Sequence, residues 1–224
     1  MEALRIPFGH SGDTPTDDTI FGLIANDLEQ KGYSIRHGAL PLSLSNALLD
    51  YQHSISQKQF EEAGIGRGDD FVKTEFVRKD EICWINGDSE AGAAWLDWTS
   101  NLKTFLNRRL FLGLFSFESH FAHYAPGAYY KRHLDAFRGE ANRVLSVVTY
   151  LNPGWQNADG GELVLYQDEQ DMTGIKVAPL HGTVVVFLSE EFPHEVLPAT
   201  RDRYSVAGWF RVNGSIDNRI DPPR

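Results

Sequence analysis

His133 and Asp135 stand two residues apart at the end of the run Y-A-P-G-A-Y-Y-K-R-H-L-D, Tyr124 to Asp135. On a β-strand successive side chains alternate faces, so this spacing aims an imidazole and a carboxylate into the same space inside a sheet. One such pair arises easily by chance in a chain with 8 histidines, and alone it reads as a surface pair beside a turn. Its weight comes from downstream. His194 lies in F-P-H-E-V, and Arg203 opens the strand-like run R-Y-S-V-A-G-W-F. Two imidazoles and one carboxylate on one side of a metal leave coordination positions open, the ligand set of non-haem Fe(II) oxygenases. A nearby guanidinium grips a carboxylate through a planar pair of hydrogen bonds. These four residues together suit iron and a dicarboxylic acid co-substrate.

The elements that must position them change character at Gly113. Beyond it, strand-like runs at 114–124, 130–137, 144–151, 162–166, 175–178, 183–187, 194–197 and 203–212 are separated by turn signals such as Pro126-Gly127, Asn152-Pro153-Gly154 and Gly160-Gly161. Ahead of it, Ile20, Leu23, Ile24 and Leu28 recur at helical spacing, as do Leu44, Leu48, Leu49 and Tyr51. A short strand, Tyr33 to Ile35, lies between them. A long amphipathic helix over 89–109 carries Ala91, Trp95, Trp98, Leu102 and Phe105, a stripe that reads as core. Helices followed by eight short strands predict a mainly β fold, an antiparallel sandwich or barrel with N-terminal helices packed on one outer face.

The gap between His194 and Arg203 is odd, so one straight strand would turn them to opposite faces. Pro198 and the polar A-T-R-D run break that strand, which lets Arg203 face inward with Ser205, Ala207 and Trp209 after it. Gly64, Gly66 and Gly68 follow no strand and precede no Lys-Ser/Thr, so they read as a connection and not a phosphate loop. His120, His123 and His181 read as structural, the last as an exposed turn residue.

Net charge of −10 argues against nucleic acid or an anionic membrane surface as the main partner, and favours a neutral or basic peptide. Cys83 is the only cysteine, so no intrachain disulfide can form, and a reducing compartment is expected. The N-terminus shows no basic region leading into a long apolar core, and no apolar run is long enough to span a bilayer. The expected location is the cytoplasm.

Four motifs in order carry a resemblance: R-x-D-x-I-x-W-I-x-G at Arg78 to Gly87, Y-x-P-G-x-x-Y-x-x-H-x-D at Tyr124 to Asp135, Y-L-N at Tyr150 to Asn152, and H-E-V-x-P to R-Y at His194 to Tyr204. From about Gly32 to Val212 the chain resembles the 2-oxoglutarate- and Fe(II)-dependent dioxygenases of the prolyl 4-hydroxylase group. Within that group it is most similar to the prolyl-hydroxylase-domain branch, which holds oxygen sensors and bacterial relatives. The resemblance implies a double-stranded β-helix (jelly roll) with Fe(II) on His133, Asp135 and His194. It implies 2-oxoglutarate chelating the metal and meeting Arg203 with its far carboxylate, beside Tyr150. Tyr124 would lie nearer the metal end, with Ser205 and Trp209 on the inward face.

The implied reaction is hydroxylation of a prolyl residue in a protein or peptide, with O2 as second co-substrate, succinate and CO2 as products and ascorbate as auxiliary reductant. Arg78, Asp80, Arg143 and Tyr130 are the expected substrate-binding residues, with an Asp80–Arg143 ion pair fixing a closing segment at about 57–88. That segment belongs to a helical support at 1–113; the catalytic core is 114–212, and 213–224 is a tail. Two alternatives stand beside this reading: hydroxylation of a free amino acid or other small molecule, and an inactive metal-binding β-barrel module.

Overall fold

The computed structural model describes residues 17–56, 59–62, 79–136, 142–213, 215–216 and 219–220. Helix α1 (Asp17–Lys31), strand β1 (Tyr33–Arg36), helix α2 (Leu42–Ser54), strands β2 (Glu61–Glu62) and β3 (Glu81–Trp84) and helix α3 (Glu90–Leu110) come first. Eight strands follow: β4 (Ser116–Tyr124), β5 (Tyr130–His133), β6 (Arg143–Tyr150), β7 (Leu163–Leu165), β8 (Ile175–Val177), β9 (Val184–Leu188), β10 (His194–Val196) and β11 (Arg203–Arg211). A terminal pair, β12 (Ser215–Ile216) and β13 (Arg219–Ile220), ends the described chain.

The larger sheet runs β1-β9-β6-β11-β4-β3-β2, and the smaller runs β5-β10-β7-β8. Of the eight strands from β4 to β11, β4, β6, β9 and β11 lie in the larger sheet and β5, β7, β8 and β10 in the smaller, so the chain crosses between sheets at every step except the β7–β8 pair, which is the winding of a jelly roll. β1 extends the larger sheet at one edge, and β3 with β2 extends it at the other, so the helical segment and the roll share one sheet.

The larger sheet is covered on both faces, and the period of two sorts its side chains. Phe121, Leu145, Val147, Val184, Val186, Val206 and Phe210 pack on the helices with Ile24, Leu48, Trp95 and Leu102. Ala122, Tyr124, Tyr150, Val185 and Phe187 face the roll's interior against Leu163, Leu165, Val177 and Val196 of the smaller sheet. This is why V-V-V-F-L in β9 is apolar throughout instead of alternating.

Ser89 caps α3 by accepting the Gly92 amide, 3.0 Å, where four helical donors would otherwise lack partners. Trp95, fully buried, stacks on Trp98 at 5.7 Å and donates its indole N–H to Ser119 Oγ at 3.0 Å. Trp95→Ala therefore empties a core site and orphans a hydroxyl, and should cost about 3–5 kcal/mol in urea unfolding. Two helix expectations need correction. Leu23 is 39% exposed while Phe21 and Ala25 take the inner face of α1, and Phe105 is only partly buried beside a fully buried Leu106. Among the described residues, no helix is long and apolar enough to cross a membrane.

Candidate metal and co-substrate site

In the smaller sheet, antiparallel pairing sets His194 on β10 directly opposite His133 on β5. Their ring centres lie 4.3 Å apart. Both Nδ1–H groups donate to backbone carbonyls, His133 to Lys131 at 2.7 Å and His194 to Phe192 at 3.1 Å. That fixes each tautomer and leaves each Nε2 lone pair free. The two Nε2 atoms face Asp135, at 3.7 Å from Oδ1 for His133 and 3.6 Å from Oδ2 for His194. One ligand atom from each of the three residues falls within 4.8 Å of the others, the only such group among the described residues.

Asp135 is not on the strand expected at 130–137. β5 ends at His133, and Asp135 sits in the bend after it. Its direction comes from neighbours: Ser146 Oγ donates to Oδ2 at 2.6 Å, and Arg143 Nη1 donates to the backbone carbonyl at 3.4 Å. Burial would raise its pKa, but His194, His133 and the Ser146 hydroxyl outweigh it and hold the carboxyl well below the usual carboxylate range. Burial, together with the like charge of His133, pushes His194 down to about 4 against the pull of Asp135. Above that pH the His194 imidazole is neutral, as a metal ligand requires.

Arg203 occupies the other end of the interior. His194 and Arg203 are not two parts of one broken strand: the chain leaves the smaller sheet after β10 and enters the larger one at β11. Three backbone bonds pin the crossing: Gly161 N–H to Pro198 O, Gly127 N–H to Ala199 O and Thr200 N–H to Asp159 O. Arg203 then lies opposite Tyr124 in register, and Ser205 opposite Tyr150. Its guanidinium sits 4.9 Å from the Tyr124 ring and 5.0 Å from the Tyr150 ring, so Tyr124 stands at the Arg203 end with Tyr150 and not nearer the metal end as expected, because the register of β4 on β11 sets it opposite Arg203.

The side chain is 1% exposed, and its hydrogen bonds go to Gly161 O at 2.9 Å and Ser205 Oγ at 3.4 Å. No carboxylate among the described residues pairs with it. A buried cation without a counter-charge is costly, and an anionic ligand removes that cost. Beside Arg203, the buried Tyr150 Oη also lacks a partner, as does the Trp209 Nε1 farther along β11. Burial, against the pull of Arg203, pushes the Tyr150 hydroxyl up to about 12, so it stays protonated and able to donate.

Gly161 bounds this pocket with φ +71; a Cβ there would meet Ala199 Cβ at 2.9 Å, Trp155 at 3.2 Å and Arg203 Cδ at 3.3 Å. Gly161→Ala combines a left-handed backbone with a push on Arg203. It should cost about 1–3 kcal/mol in thermal unfolding and raise KM for the anionic co-substrate severalfold.

The remaining predicted residues distribute differently. Arg143 does not reach Asp80: its Nη2 pairs with Glu118 Oε1 at 2.9 Å, and its guanidinium lies 3.8 Å over the Trp209 ring. A register shift between Phe210 and Arg211 breaks the pleat beside Arg143, which re-aims it over the inward-facing Trp209. Asp80 is buried beside β3, whose start is tied down by Lys79 N–H to Tyr129 O. Tyr130 stacks on His133 at 3.6 Å, so it supports a ligand ring directly.

Arg78 and most of the expected closing segment lie outside the described residues. His123 bridges Glu81 and Asp202, and His120 is buried between Trp84 and Trp209. His181 is not an exposed turn residue; it is half-buried, with Nε2 on Asn46 Oδ1 of α2 at 2.9 Å. The sequence reading does not reach Ser146, Ser189 or Trp155; the one legible signal is Ser146, two and four residues before inward-facing Val148 and Tyr150 in a mostly apolar run.

Comparison with known proteins decides between the chemistries that such a centre could support. A model of the 2OG-Fe(II) oxygenase superfamily matches residues 119–211. A prolyl-4-hydroxylase of Pseudomonas putida, known as a crystal structure, is 40% identical with a TM-score of 0.74, over 87% of this chain and 100% of that one. The chain belongs to the 2OG-Fe(II) oxygenase superfamily.

Within the superfamily it stands in the prolyl hydroxylase group. A Trichoplax adhaerens prolyl hydroxylase, solved with a peptide fragment of the hypoxia-inducible factor oxygen degradation domain, is 28% identical with a TM-score of 0.76, over 87% of this chain and 90% of that one. The hypoxia-inducible factor prolyl hydroxylase of Caenorhabditis elegans is 35% identical over 96 residues, 42% of this chain and 13% of that protein's length. The residues present fit the superfamily's cofactors: two free Nε2 lone pairs and an ionised carboxylate suit Fe(II), and a buried guanidinium with no carboxylate partner among the described residues, with the unpartnered Tyr150 hydroxyl beside it, suits 2-oxoglutarate.

Proposed function

We propose that this chain is an Fe(II)- and 2-oxoglutarate-dependent dioxygenase that hydroxylates a prolyl residue in a protein or peptide, releasing succinate and CO2. The observation that carries the reading is Arg203, a buried cation with no carboxylate partner among the described residues, in the same interior as His133, Asp135 and His194. A purely structural metal module has no use for it. Arg203 and the Ser205 and Tyr150 hydroxyls would bind the far carboxylate of 2-oxoglutarate, with Tyr124 packed on the guanidinium and Trp209 walling the interior. His133, Asp135 and His194 would hold the metal. When bound, iron with 2-oxoglutarate and O2 supplies the oxidative decarboxylation and the oxygen atom inserted into a C–H bond. The protein binds and orients the reactants and keeps water from them.

A row of rings supports a peptide substrate. Trp84 on β3, 49% exposed, packs edge-on to His120 at 5.2 Å, and His120 meets Trp209 at 5.4 Å. Arg143 closes the row over Trp209, next to the carbonyl of Asp135. Prolyl segments are stiff and extended and dock well on aromatic grooves. The net charge of −10 suits a neutral or basic peptide, and the single cysteine with Fe(II) chemistry suits the cytoplasm.

The test is mass spectrometry of prolyl peptides incubated with protein, Fe(II) and 2-oxoglutarate under air. A gain of one oxygen on proline, absent without 2-oxoglutarate, is expected; turnover of 2-oxoglutarate stimulated only by a non-peptide molecule would refute the peptide reading. Trp84→Ala should raise peptide KM about tenfold, with a much smaller effect on KM for 2-oxoglutarate.

A further inference from the structure

The carboxylate ligand is the least supported of the three. His133 and His194 sit on paired strands with their rings fixed by backbone carbonyls, whereas Asp135 lies in a bend beyond the end of β5. One serine from the larger sheet reaches it, backed by a second. Ser146 is held within β6 between Trp209 of β11 and Phe187 of β9, and its Oγ donates to Asp135 Oδ2 at 2.6 Å. Ser189, fully buried just past β9, has its amide bonded to Val144 O at 3.0 Å and its Oγ 2.9 Å from Ser146 Oγ. An ionised carboxylate only accepts, so the single Ser146 proton goes to Asp135 and Ser189 must donate to Ser146. The result is a directed chain, Ser189 to Ser146 to Oδ2, whose links strengthen each other in a dry interior.

We infer that Ser146, backed by Ser189, is a positioning residue that occupies Oδ2 so that Asp135 offers the metal Oδ1 alone; this rests on the metal site described above. With both oxygens free, the carboxylate could turn and bind through both. It would then fill a coordination position that a two-histidine, one-carboxylate site needs open for its co-substrates. Outer hydrogen bonds of this kind typically change metal affinity or activity by about 10- to 100-fold when removed.

The experiment is an anaerobic Fe(II) titration in the presence of 2-oxoglutarate, followed by the metal-to-ligand charge-transfer absorption, with thermal unfolding of the metal-free proteins alongside. Ser146→Ala should weaken Fe(II) binding about 10- to 100-fold and displace the charge-transfer band, while the metal-free variant still melts cooperatively, at a temperature lowered only by the buried hydrogen bonds it loses. Ser146→Thr, which keeps a hydroxyl, should recover most of the affinity, and Ser189→Ala should fall between parent and Ser146→Ala. Parent-like affinity and band in Ser146→Ala, or a Ser146→Thr protein as weak as Ser146→Ala, would overturn the inference. If Ser146→Ala does not fold, Ser189→Ala decides: unchanged iron binding there refutes the chain. Asp135→Ala separates the two levels, since retention of parent affinity in that variant would instead refute the metal site.

Discussion

His133→Ala should leave a folded protein that no longer forms succinate from 2-oxoglutarate when Fe(II) is supplied. The side chain is part-buried at the mouth of the interior, and its loss removes one of three metal donors along with the ring on which Tyr130 stacks. Groups that merely orient ligands are worth about 10- to 100-fold. Loss of a ligand should exceed that, taking turnover to background. The far-ultraviolet spectrum and the melting temperature of the metal-free protein should change little, because the strand pairing of β5 with β10 runs through the backbone. Turnover within severalfold of the parent would show that the iron sits elsewhere. The opposing possibility, that the variant simply unfolds, is visible in the same melting curve.

Arg203→Met should separate stability from function in opposite directions. Without ligand, the parent holds a guanidinium away from water with no carboxylate partner among the described residues. A methionine of similar length removes that buried charge, so the ligand-free variant should melt at the parent temperature or above it. With 2-oxoglutarate the order reverses. At about 100 times its Kd, a ligand adds roughly 2.7 kcal/mol to the native state. For a chain of this size that is roughly 5–10 °C. The parent should show this shift, and Arg203→Met should not. Its KM for 2-oxoglutarate should rise about a hundred-fold or more, the cost of leaving a carboxylate buried and unpaired. An unchanged thermal shift in Arg203→Met would remove Arg203 from the co-substrate site.

The parts of this arrangement that were legible in the sequence are those that depend on local period and on residue type. The eight strands of the roll are legible through alternation and through Pro-Gly and Gly-Gly breaks, although β6 and β9 are displaced by one residue and the ends of most others run one to four residues too far. Burial on both faces blurs the boundary signal: V-V-V-F-L in β9 gives no alternation to stop on. What stayed hidden depends on contacts between distant segments. H-x-D fits a period of two and so reads as a strand pair, yet Asp135 owes its direction to Ser146, eleven residues on, and not to the pleat. The resemblance pairs Arg143 with Asp80, but the extra residue at Val144 of β6 turns Arg143 toward Glu118 and Trp209 instead. The odd interval from His194 to Arg203 correctly signalled a break; that the break is a passage between sheets required the register of β10 on β5 and of β11 on β4. Leu23 fitted the helical period and still faces solvent, because Phe21 fills the inner position between Trp98 and Phe105.

The most direct test of the whole account is succinate formation under isotopically labelled O2, with Fe(II), ascorbate and 2-oxoglutarate, and no second substrate required. Incorporation of one labelled oxygen atom into each succinate, in step with loss of 2-oxoglutarate and abolished in His133→Ala, is the predicted result. Folded, iron-loaded protein that yields no labelled succinate, with or without prolyl peptides, would contradict it.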